Sequence, residues 1–147
     1  MHERDHTGFG VRRATAEYRV TGWDPSATEL LALLPQTGRG PRREGIFALW
    51  LTLRVTQDLL HDPPPNERAH RRRLQALEHR LSSLTIPPPL RRALGAAMSQ
   101  LRVASPEVAA QVLSQLVAPA RESGGPEAGD AVAQAARAAR ATLRGVR

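Results

Sequence analysis

Twelve prolines decide what this chain of 147 residues can fold into. Proline lacks a backbone N–H and pushes the residue before it out of the α region, so helices begin at or just after it and end ahead of it. Between the prolines lie six stretches long enough for a helix. Residues 25–34 open with Asp24 and Pro25 in the N-cap and N1 positions, and Ser26 followed by Glu29 matches a capping box. A Gly and Pro linker, residues 35–41, separates this short helix from residues 42–61. In that second stretch Ile46, Phe47, Leu49, Trp50, Leu51, Leu53, Val55 and Leu59 spread almost all round a helical wheel. A helix apolar on every side belongs at the centre of a domain.

The third stretch, residues 66–86, is amphipathic: His70, Leu74, Leu77, Leu81 and Leu84 recur at spacings of 4, 3, 4 and 3. That seam is two heptads long, too short for a lasting coiled coil and suited to bundle packing. Residues 88–104 repeat the pattern with Leu90, Leu94, Ala97, Met98 and Leu101. Ser105, Pro106 and Glu107 then supply a cap, an N1 proline and an early acid for residues 106–118, which offer Val108, Val112, Leu113, Leu116 and Val117 to a core and are closed by Pro119. The last stretch, residues 127–145, is helical by its alanine content but carries only Val132 and Leu143 as large apolar groups, so weak docking is expected.

The N-terminus follows another period. Arg13, Thr15, Glu17, Arg19 and Thr21 alternate with Ala14, Ala16, Tyr18 and Val20, the period of a strand. With no clear second strand in the chain, this reads as an extended arm lying against its own bundle or a partner, with Tyr18 and Trp23 as contacts. The expected architecture is all-α: a compact bundle of five or six helices, with residues 1–24 as an arm, 25–121 as the bundle core and 122–147 as a weakly docked Ala-rich helix.

Composition limits the core and the chemistry. Leu, Ile, Val and Phe make 32 of 147 residues, against 23 alanines, so the core should be thin. No stretch approaches the roughly 20 apolar residues of a membrane span, and no apolar signal region follows the start, which favours a cytoplasmic location. The absence of cysteine excludes disulfides, thiolate metal sites and cysteine nucleophiles.

Catalytic and cofactor signatures are lacking. The chain has no GxSxG, no GxxxxGK[ST] and no GxGxxG in a βαβ setting, and no cofactor is expected. Glu67 and His70 have the i, i+3 spacing of carboxylate-bridged di-iron bundles, which require a second such pair and two further inward Glu. Neither is present. His70 instead ends the leucine seam, while His79, nine residues on, falls on the opposite face. Arg54 and Asp58, one turn apart in the apolar central helix, read as a structural ion pair.

The remaining signal is charge. All 21 basic residues are Arg; residues 36–102 carry 12 of them against 5 acids, so the net charge of +7 sits in the middle third of the chain. On the wheel of residues 66–86, Arg68, Arg72 and His79 point away from the seam, whereas Arg73 and Arg80 lie on its flank. Arg68 and Arg72 are a like-charge i, i+4 pair, disfavoured by a few tenths of a kcal/mol unless an anion lies across them. Arg91 and Arg92 form a second cluster at the start of the next helix. These five residues are the expected anion or partner contacts. The reading is a non-enzymatic interaction module that binds a protein partner through its N-terminal arm, its Arg-rich helix or both, an acidic partner where the basic helix is used. The alternative is a small nucleic-acid-binding or transcription-regulatory protein, for which the sequence provides neither interleaved aromatics nor a helix-turn-helix.

Overall fold

A computed structural model describes residues 25–145, and the expected arm, with the strand over residues 13–21 and the contacts Tyr18 and Trp23, lies outside the described residues. Within them the fold is all-α, with six helices and no strand. These are α1 (Pro25–Leu33), α2 (Pro41–His61), α3 (Glu67–Ser82), α4 (Pro88–Gln100), α5 (Pro106–Gly124) and α6 (Pro126–Gly145), with a 3-10 turn at Leu34–Gln36. No helix is long and apolar enough to cross a membrane.

Helix α2 occupies the centre, in contact with α1, α3, α5 and α6. Trp50 and Leu53 are buried on it, and Phe47 is half-buried. Trp50 is fixed on two sides, by the Phe47 ring stacked at 6.0 Å between centroids and by the Arg54 guanidinium 6.0 Å from its own centroid. Polar side chains share this interior because they bond to their own helix: Thr52 Oγ1 donates to the Ala48 carbonyl at 2.9 Å and Thr56 Oγ1 to that of Thr52.

Local chemistry sets most boundaries. Asn66 caps α3, its Oδ1 accepting from the Ala69 N–H at 2.8 Å, and Ser105 caps α5 by accepting from the Val108 N–H. The Ser105 hydroxyl also donates to Glu107 at 2.8 Å, which lowers the Glu107 pKa. Ser26 does not cap α1. It lies inside the helix, fully buried, because Pro25 already occupies a helical position.

Pro119 does not end α5. The helix continues through it to Gly124. Proline removes only the bond to the carbonyl four residues earlier, and that residue, Gln115, is exposed, where water can take the carbonyl. The true stop is Gly125, at φ 97°, a conformation that a side chain would strain. The end of α5 is closed from a distance: Arg42, at the start of α2, donates from Nε and Nη2 to the Gly124 carbonyl at 3.3 and 3.0 Å. One basic residue of the middle third thus serves the fold.

Helix α6 differs most from expectation. It packs along α5 in the most extensive contact of the fold and also meets α1 and α2. Ala128, Gly129, Ala131, Val132, Ala135, Ala136 and Ala139 are all buried. Small side chains let the backbones approach: a Cβ built on Gly129 would lie 2.6 Å from the Arg121 Cβ, and one on Gly124 would lie 2.8 Å from the Ala128 Cβ. Arg121–Asp130 and Arg140–Ser114 contacts, at 3.1 and 2.7 Å, flank this seam. The helix is therefore closely seated, although it lacks large apolar groups.

Candidate functional site

Helix α3 stands at the edge of the bundle, with its main contact to α2. Its seam is buried as the spacing implies: His70, Leu74, Leu77 and Leu81 face inward, and Leu84, just past the helix, is half-buried. His70 Nε2 lies 2.6 Å from the carbonyl oxygen of Leu101, at the end of α4, and its Nδ1 is buried without a hydrogen-bond partner. The carbonyl requires a donor, so Nε2 carries a proton. Such a ring is a structural bolt. Among the described residues, no cluster of acids and histidines could hold a metal ion.

The charged residues of α3 divide into two sets. Arg73 turns back to α2, reaching the Asp58 carboxylate at 3.9 Å and donating to the Asp62 carbonyl at 3.3 Å. The carboxylate of Asp58 is thus met by the next helix, where sequence spacing had paired it with Arg54. Burial raises the Asp58 pKa to about 6, with Arg73 and then Arg54 opposing that rise and Asp62 adding to it. Arg80 lies 5.8 Å from the centroid of the Phe47 ring. Both arginines occupy the flank of the seam that faces α2.

The outward set is different. Arg68, Arg71, Arg72 and His79 are exposed. None of the three arginines forms a hydrogen bond or ion pair with a described residue. The structure therefore brings Arg68, Arg71 and Arg72 to one unpaired cationic surface at the start of α3, with His79 about 10 Å farther along the helix at 1.5 Å per residue.

Arg91 and Arg92 do not join this surface. Arg91 donates from Nη2 to the Leu84 carbonyl at 3.1 Å, which puts it beside the opposite end of α3, and Arg92 is exposed next to it. Sequence reasoning also passed over a cavity of about 350 Å³ between the first turns of α2 and the end of α3, lined by Arg39, Arg43 and Glu44 beside Leu34, Phe47 and Leu84. Its only trace in the sequence is the Gly38-Arg39-Gly40 run, which reads as a linker. Comparison with family models, with curated proteins and with solved structures found no match for this chain.

Proposed function

We propose that this protein is a non-catalytic helical interaction module that receives an acidic protein segment on the outer face of α3. One observation carries the reading: Arg68, Arg71 and Arg72 lie within about one helical turn, exposed, with no described group to neutralise them. The same helix directs Arg73 and Arg80 toward α2, so not every arginine of α3 is left without a partner. Arginines at a helix start also face the positive end of the helix dipole, which disfavours them until an anion arrives. A rigid platform for that anion is supplied by the buried seam and by the bond from His70 to Leu101.

The test is a fluorescence titration with polyglutamate and, separately, with duplex DNA across a range of salt, on the wild type and on Arg68→Glu/Arg72→Glu. The proposal expects polyglutamate binding that the double variant loses, with an unchanged or raised melting temperature. Binding unaffected by the variant would overturn it. Preference for DNA with a steep log–log salt slope would transfer the surface to the nucleic-acid reading.

A further inference from the structure

We infer that the cavity between the start of α2 and the end of α3 is a binding site for a small monocarboxylate with an apolar body. Its volume, about 350 Å³, is at the lower end of the range that holds small ligands. Leu34, Phe47 and Leu84 form an apolar wall, of which Phe47 and Leu84 are only half-buried and so have surface left to cover. Two guanidinium groups share the lining with them. Arg39 is exposed and makes no hydrogen bond or ion pair with a described residue, whereas Arg43 has one Nη1 contact, to the Leu34 carbonyl at 3.3 Å, and keeps other donors free.

The remaining polar groups define the charge of the ligand. Glu44 also lines the cavity, and its Oε1 accepts from the Thr85 N–H, holding the end of α3 against α2. Ser83 Oγ is already engaged as a donor to the Arg80 carbonyl at 2.8 Å. Among the lining residues, two guanidinium groups against one carboxylate leave a single positive charge. A monoanion balances it, while a dianionic phosphate would exceed it and would crowd Glu44. An Arg fork matches a carboxylate in two parallel hydrogen bonds. The site lies about 16–24 Å along α3 from Arg72 and Arg68, at 1.5 Å per residue, so it is separate from the docking face.

Benzoate is the probe and benzamide its uncharged counterpart, each titrated into the full chain while the amide resonances of Gly40, Phe47 and Leu84 are followed by NMR. Benzoate is expected to shift these resonances saturably, benzamide to leave them in place, and Arg39→Gln to weaken benzoate at least tenfold without changing the melting temperature. Three results would each overturn the inference: no shift with benzoate, equal shifts with benzamide, or undiminished benzoate binding by Arg39→Gln.

Discussion

The His70 ring and the Leu101 carbonyl, 31 residues apart, meet at 2.6 Å in the interior and tie the edge helix α3 to the turn that follows α4. Deleting the ring would leave that carbonyl without its donor and open a void in the seam. His70→Ala should lower unfolding free energy by about 2–4 kcal/mol, the sum of an unsatisfied buried group and a small cavity. Urea denaturation measures this; a loss under about 0.5 kcal/mol, the level of a surface change, would mean that the contact contributes nothing.

Two glycines should respond in opposite directions to the same substitution. Gly95 sits mid-helix and exposed, with nothing within 4 Å of a built Cβ, so Gly95→Ala should stabilise by about 0.5–1 kcal/mol through backbone entropy. At Gly129 the new methyl would meet Arg121 at 2.6 Å, and the gain in helix propensity should be overwhelmed by separation of α5 from α6. Paired melting curves decide the sign at each site.

Asp58 sets a pH dependence. Its folded pKa, raised by burial to about 6, exceeds the ordinary value of 3.8, so the native state takes up the proton more readily than the unfolded chain. Stability from this group is fully present below pH 3.8 and is lost as pH rises through about 6. Relative to Asp58→Asn, the wild type should therefore lose about 1–2 kcal/mol between pH 4 and pH 7, after allowance for solvent screening. Parallel chemical denaturation of the two proteins across that range gives the difference, and a flat difference would contradict the assignment.

Among the described residues Trp50 is the largest fully buried side chain, in a core otherwise rich in Ala and Leu. Trp50→Ala should cost about 3–5 kcal/mol, a large share of the stability of a small domain. Thermal unfolding measures it, and a cost below about 1 kcal/mol would place the ring at the surface, contrary to its burial.

Helix positions and the central place of α2 were legible because they depend on short-range chemistry: Pro25 and Pro106 at helix starts, Ser105 as a cap, the leucine spacing of α3. The errors have a common origin in tertiary approach. Pro119 reads as a stop unless the exposure of Gln115 is known, and α6 reads as loosely held when side-chain size stands in for packing. At Gly129 and Ala135, smallness is what permits contact. The outward direction of Arg68 and Arg72 followed from helix geometry alone. The bond from Arg91 to Leu84, and the meeting of Arg39 with Phe47 and Leu84 around one cavity, required the turn at residues 83–87 to be folded back on α2.

Because α5 and α6 are consecutive and share the most extensive contact in the fold, much of the structure can form at short sequence separation. Topologies dominated by such local pairings fold in microseconds to milliseconds. The hairpin across Gly125 is thus suited to forming early, with α2 condensing on it. By contrast, α1 draws its surface from α2 and from α6, a helix that begins more than ninety residues later. Its docking closes the chain on itself, so the last event in folding and the first in unfolding should both be read at Leu30 and Leu31.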